Sequence, residues 1–298
     1  MQLDWRGIYP AVTTQFARDE TLDVDATQVV IDKLINDGVH GLVMLGTVGE
    51  NCSLSGSEKR TVVKAAVEVA RGRVPVLSGV AEYTTGLAQA YARDCENAGV
   101  DALMVLPAMV YKADAREAKA HIADTAAACG LPVMIYNNPV AYGIDLLPRD
   151  LVDLAEVRNI VAVKESSEDP RRITDILNID ADALALVAGV DDVALECMLL
   201  GATGWVSGLA NVFPAETVRL YEHVQAGELD RARAIYRWMM PALHMDTHPK
   251  LVQMIKLAEQ VAGRGTETVR RPRLPLEGKE REQVVRIVEA ALANPPMG

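Results

Sequence analysis

Hydrophobic positions along this chain follow a two-part pattern. Short unbroken runs of β-branched and small apolar residues alternate with longer stretches whose apolar positions recur at helical spacing. The short runs, residues 7–14, 41–45, 74–79, 102–106, 132–136, 160–164, 184–188 and 204–207, read as strands. Between them, 25–37, 57–71, 85–98, 115–129, 147–155, 170–177 and 193–200 read as helices. Ser55 or Ser57 stands where a cap would start the second helix, and Gly38, Gly99 and Gly130 follow three helix ends. The strand runs do not alternate polar with apolar, so the sheet is expected to be parallel and buried on both faces. Eight such units in about 200 residues predict a (β/α)8 TIM barrel over 1–212. A doubly wound sheet is the rival, but the glycine-rich dinucleotide turn it would often carry after its first strand is absent. Past Phe213 the strand signal ends. Residues 213–298 are expected to form a C-terminal helical extension packed on the barrel or supporting oligomer contacts. Its helices fall at 214–225, 230–244, 248–262 and 279–293, with a loop rich in Gly, Arg and Pro at 263–278.

Composition narrows the function classes. Half of the 298 residues are hydrophobic and 24% are charged, as in an ordinary globular enzyme. The net charge of −11, with no basic stripe to offset it, argues against a nucleic-acid partner. The N-terminal residues lack a signal-peptide layout, and no apolar run reaches membrane-spanning length. Cys52, Cys95, Cys129 and Cys197 are far apart and form no CxxC pair, so they are expected to be reduced thiols in a cytoplasmic protein.

In a barrel of this kind the active site lies at the C-terminal ends of the strands. The polar residues that follow each strand are therefore the candidates. Lys164 closes the sixth run, and burial there favours a neutral amine able to attack a carbonyl carbon and form a Schiff base. The bland reading is that it snorkels or pairs with Glu165. Tyr136 ends the adjacent strand, where a phenol can pass protons to and from a carbinolamine; otherwise it is an aromatic lid on the core. Thr13 and Thr14, Ser207 and Gly208, and Asp191 and Asp192 follow other strands. The two aspartates could be a carboxylate pair for acid–base work, but they are read as caps for the helix that starts at Val193. Gly46-Thr47-Val48-Gly49-Glu50 is a tight turn whose amides could hold a carboxylate. No Gly-Lys-Ser/Thr follows it, so it is not a phosphate loop.

These residues carry a resemblance. Gly46-Thr47-Val48-Gly49-Glu50, Tyr136-Asn137-Asn138-Pro139, Val163-Lys164-Glu165 and Gly189-Val190-Asp191-Asp192 are similar, in order and place, to the motifs of the dihydrodipicolinate synthase / N-acetylneuraminate lyase family. The resemblance implies Lys164 as the Schiff-base lysine, Tyr136 as the proton-transferring phenol, and Thr47 as the hydroxyl linking Tyr136 to substrate. It implies a homotetramer built as a dimer of dimers, with no metal and no organic cofactor. Substrate contacts are expected from Val48, Gly49, Tyr111, Tyr142 and Val206, with Met109 and Val110 adding to a small apolar pocket.

Departures from the family pattern bear on the substrate. In the synthase the motif around Tyr136 runs on to an arginine that binds the partner substrate; here Ala141 takes its place. The turn's second threonine is Val48, and Leu106-Pro107-Ala108-Met109-Val110-Tyr111 replaces a pair of tyrosines. Losing a charged clamp costs about 2 to 5 kcal/mol of selectivity, which disfavours the synthase itself. The runs YNNPVAYG, VKESSEDPRRITDI and GVDDVALE look most like a subgroup acting on 1-pyrroline-4-hydroxy-2-carboxylate in hydroxyproline breakdown. In that deaminase Lys164 would open the cyclic imine. Loss of a C3 proton and the 4-hydroxyl, then hydrolysis, would release ammonia and 2,5-dioxopentanoate. Alternatives are 4-hydroxy-tetrahydrodipicolinate synthase, a 2-keto-3-deoxy sugar acid aldolase or dehydratase, and a silent barrel that only binds a keto acid. His244, Asp246 and His248 could be read as metal ligands, but Pro249 interrupts the helix and their place in the tail favours a structural role.

Overall fold

The computed structural model describes residues 3–296. Eight parallel strands follow one another: β1 (Gly7–Pro10), β2 (Leu42–Met44), β3 (Val76–Val80), β4 (Ala102–Val105), β5 (Val133–Asn137), β6 (Ile160–Glu165), β7 (Ala185–Ala188) and β8 (Gly204–Ser207). Each pairs with the next from β2 to β8, and β8 pairs back onto β1. The seam between β1 and β2 is closed by a parallel bridge from Ala11 to Val43, with the Val12 amide donating to the Val43 carbonyl at 2.9 Å. The sheet is a (β/α)8 barrel. Unbroken apolar runs suit it because one face fills the barrel interior and the other meets the helix ring.

The helices are α1 (Val24–Asn36), α2 (Gly56–Ala70), α3 (Thr85–Ala98), α4 (Ala115–Ala126), α5 (Pro139–Tyr142), α6 (Pro148–Leu154), α7 (Arg171–Ile179), α8 (Ala194–Leu199), α9 (Pro214–Gln225), α10 (Leu229–Leu243), α11 (Leu251–Val261) and α12 (Gly278–Ala293). Ser55, not Ser57, caps α2; its hydroxyl accepts from the Glu58 amide while Glu58 accepts from the Ser55 amide. Three expectations are corrected. The helix expected over 115–129 ends at Ala126, and residues 127–129 turn. The one-turn α5 is unpredicted; its start is fixed by the Asn138 side chain and by Pro139 at the first helical position. The helix expected from 248 begins at Leu251, because Pro249 disfavours helical backbone in the residue before it. Residues 245–250 are therefore a turn.

The helices after the barrel are joined to it through a buried polar knot. Lys256 on α11 is fully buried. Its Nζ donates to Glu50 Oε1 (3.0 Å) and to the Thr14 carbonyl (2.7 Å). The Arg270 amide donates to the other Glu50 oxygen at 3.1 Å. Lys256 Nζ and the Arg270 guanidinium each lie about 4.5 Å from the Phe16 ring centre. Glu259, one turn along α11, accepts from the Thr13 hydroxyl at 3.0 Å. Glu50 can turn inward to meet them because its backbone is left-handed, with φ of 55°.

Candidate active site

β5 and β6 are paired so that Tyr136 stands directly beside Lys164. Both side chains are buried at the C-terminal mouth of the barrel. Lys164 Nζ lies 4.1 Å from the centre of the Tyr136 ring. Pairing with Glu165 does not occur. Alternation along the strand sends Glu165 to the opposite side, where it accepts from Asn137 Nδ2 (3.0 Å) and the Ser167 amide (2.7 Å). Burial pushes the Glu165 carboxyl above its ordinary range. Among the described residues no carboxylate forms an ion pair with Lys164. The lysine stem is held from behind by backbone. A Cβ on Gly189, after β7, would stand 2.8 Å from Lys164 Cγ and 2.0 Å from Ser166 Oγ. Only glycine lets the β7 turn come so close.

The Tyr136 hydroxyl accepts from Asn138 Nδ2 at 3.1 Å, while Asn138 Oδ1 accepts from the Ala141 amide at 2.8 Å. That pairing leaves the phenol proton free to donate into the site. Thr47 does not reach Tyr136. Its hydroxyl is bonded to the Tyr142 hydroxyl at 2.5 Å, and the Tyr142 ring meets Tyr136 edge to face at 5.7 Å between centres. Burial and the neighbouring Tyr136 hold Tyr142 firmly in the neutral phenol form. In the turn after β2, the amides of Glu50 and Asn51 donate to the Thr47 and Gly46 carbonyls (3.1 and 3.3 Å). Those of Thr47 and Val48 donate to no protein acceptor among the described residues.

Lys164, Tyr136, Thr47, Val48, Tyr142 and Val206 all line one cavity of about 420 Å³. Gly49 sits behind it, where a Cβ would meet the Val12 carbonyl and the Leu45 backbone at 2.9 Å. Tyr111, Met109 and Val110 are not part of its wall. Tyr111 is exposed and donates to Glu117 at 3.1 Å, and Val110 is 87% exposed with φ of 73°. The apolar wall comes instead from Met104, Val48, Val140, Val206 and Leu251. In the loop after β4, Met109 packs against the core while Val110 and Tyr111 face solvent.

Asp191 and Asp192 are not helix caps. The buried Asp191 accepts from Trp205 Nε1 (2.9 Å) and the Leu209 amide (2.8 Å), tying β7 to β8. Asp192 pairs with His244 Nδ1 at 2.8 Å. The His244, Asp246 and His248 set is split: His244 faces outward, while Asp246 and His248 line the cavity. Among the described residues no group of three His, Cys, Asp or Glu side chains is arranged to hold a metal. Asp246 and Glu168 are acidic cavity residues that strand-end reasoning missed. One lies in a turn far along the chain and the other three residues past the strand end Glu165. The four cysteines are free thiols, and no helix among the described residues is long and apolar enough to cross a membrane.

A lysine at the mouth of a parallel (β/α)8 barrel, against a phenol on the next strand, defines a Schiff-base lysine lyase. The chain belongs to the dihydrodipicolinate synthetase family, whose model matches residues 4–291. A 4-hydroxy-tetrahydrodipicolinate synthase from Methanoculleus marisnigri is 33% identical over 290 residues, 95% of this chain and 98% of the relative. A dihydrodipicolinate synthase structure from Bacillus anthracis superposes with a TM-score of 0.93 at 29% identity, covering 97% of this chain and 99% of that one. A prophage protein of the family from E. coli K12, solved in complex with pyruvate, superposes with a TM-score of 0.91 at 27% identity, covering 97% and 99%.

Proposed function

We propose that Lys164 forms a Schiff base with a small 2-keto acid and that the protein is a lyase acting through that adduct. The contact of Lys164 Nζ with the Tyr136 ring, in a cavity with no carboxylate paired to the amine, carries this reading. The Thr47 and Val48 amides would receive the keto acid's carboxylate, setting C2 over Nζ. Nζ would attack C2, and the Tyr136 hydroxyl would donate to the oxygen that becomes the carbinolamine hydroxyl. Loss of that hydroxyl as water would leave an iminium. Removal of a C3 proton would then give an enamine, a carbon nucleophile.

The names of the relatives support the reaction of 4-hydroxy-tetrahydrodipicolinate synthase, in which the enamine from pyruvate adds to aspartate semialdehyde. They favour it over the deaminase reading drawn from the motifs. One observation keeps 1-pyrroline-4-hydroxy-2-carboxylate deaminase as a second reading. Ala141 lines the cavity where the resemblance expects an arginine, and the ionisable side chains there besides Lys164 and the tyrosines are Glu168, Asp246 and His248.

Borohydride reduction in the presence of pyruvate is expected to fix one keto-acid adduct on wild-type protein, read by intact mass. None is expected on Lys164→Ala, and an adduct on that variant would end the proposal. Turnover then divides the two readings. Consumption of pyruvate with aspartate semialdehyde supports the synthase, and ammonia release from 1-pyrroline-4-hydroxy-2-carboxylate supports the deaminase.

A further inference from the structure

We propose that Asp246 is a second proton-transferring residue of the lysine site, brought there by the turn between α10 and α11. The inference rests on the reading of Lys164 as the Schiff-base lysine. Strand order places the two acid–base groups on opposite sides of that lysine. Tyr136 ends β5, on one side of β6. Asp246 is held by the turn after β7 and lies beside Gly208, which follows β8, on the other side. Both line the same cavity as Lys164.

The carboxylate is fixed rather than adrift. Asp246 Oδ2 accepts from the Asp191 amide at 3.1 Å, and Asp191 is itself anchored by Trp205 and Leu209. A Cβ on Gly208 would stand 3.2 Å from Asp246 Oδ1 and 2.7 Å from Ile255 Cδ1, so the missing side chain leaves the carboxylate its room. The groups around it pull its protonation both ways. Burial, Asp192 and Glu168 favour the acid, and Lys164 favours the carboxylate, with a net upward shift from the ordinary range. Asp191 and His248 are the remaining ionisable neighbours. A carboxyl held between such opposing neighbours is placed to give a proton to, and take one back from, a group in the cavity.

The step it would serve is loss of water from the carbinolamine. The Asp246 carboxyl proton passes to the carbinolamine oxygen. The C–O bond breaks with its electron pair leaving on water, and the Nζ lone pair forms the C=N bond. The products are an iminium, water and the Asp246 carboxylate, which then faces the new cation. Hydrolysis runs the same step backwards.

The test is the rate at which borohydride-trappable adduct forms with pyruvate, followed across pH in full-length protein. Asp246→Asn keeps an acceptor for the Asp191 amide and is expected to slow adduct formation about 10²-fold, with one limb of the pH–rate profile flattened. Asp246→Glu is expected to recover part of the rate and the limb. A wild-type rate and profile in Asp246→Asn would overturn the proposal. Should that variant fail to fold, Asp246→Glu and Gly208→Ala decide: slowing in either, at the wild-type unfolding temperature, supports it, and wild-type rates in both overturn it. Absence of any adduct on wild-type protein would instead refute the reading of Lys164 on which the inference stands.

Discussion

Tyr142 sits one short helical turn after Asn138, whose side chain starts α5 and also holds the Tyr136 hydroxyl. Its own hydroxyl meets Thr47, so the two motif residues are joined through it rather than directly. Replacing Tyr142 by Phe removes that link and little volume. We expect kcat to fall about 10²-fold with KM changed far less, because the change disturbs the hydroxyl contacts around Tyr136 and leaves the amides of the turn after β2 in place. Steady-state kinetics with whichever substrate turns over would check this; an equal loss in Tyr142→Phe through KM alone would place the residue in binding. Lys164 and Tyr136 were legible in the sequence because each ends an apolar run, where strand geometry dictates exposure to the mouth. Asp246 was not, because nothing local says that a turn between two helices folds back over β7 and β8. Tyr111 misled for a related reason: proximity to a strand end does not fix whether a longer loop points in or out.

At the scale of elements, α11 is bound to the barrel by a charge pair that no water reaches. Lys256 and Glu50 are both fully buried, and burial lowers the lysine's affinity for its proton while Glu50 offsets part of that loss. Removing Lys256 leaves the buried Glu50 with the Arg270 amide and a longer pair to Arg273 at 3.6 Å, at a cost of up to about 3 to 5 kcal/mol. Lys256→Met is therefore expected to lower the free energy of urea unfolding by that much. Changing both, as Lys256→Met with Glu50→Gln, is expected to recover part of the loss. Strictly additive losses would mean that the two side chains do not act as a pair. Strands and helices were read to within a few residues because their periodicity is a direct trace of burial. The helix start at Leu251 was not, since a proline two positions upstream outweighed an apolar pattern that ran past it.

For the molecule as a whole, buried acids set how stability responds to pH. Burial raises Glu259 to about 7 from an ordinary 4.5, against the opposing pull of Thr13, Lys256 and Arg264. Between those values the folded protein keeps a proton that the unfolded chain has already released. The unfolded chain binds fewer protons there, so rising pH removes stability; the contribution is full below 4.5 and gone above 7. Glu165, Asp191 and Asp246 are shifted in the same direction. Glu259→Gln carries no such proton. Relative to wild type it is expected to gain, between pH 4.5 and pH 7, up to about 3 kcal/mol. Urea unfolding of both proteins at the two pH values would measure this, and a constant difference would contradict it. The closed barrel was legible in the eight-fold repeat, whereas the buried junction around Glu259 was hidden because its members, Thr13 and Gln15 against Lys256 and Arg264, come from both ends of the chain.

The close approach of Gly189 to the stem of Lys164 has a thermodynamic corollary. A free lysine side chain gives up about 2 kcal/mol of rotational entropy when it is ordered. Here the stem is wedged between a backbone turn and an aromatic face before any keto acid arrives. That disorder is lost once, when the barrel closes, and not again at each catalytic cycle. Lys164 is in this sense part of the scaffold, and mutations that loosen the β7 turn should weaken the proposed adduct chemistry while leaving every side chain of the cavity in place.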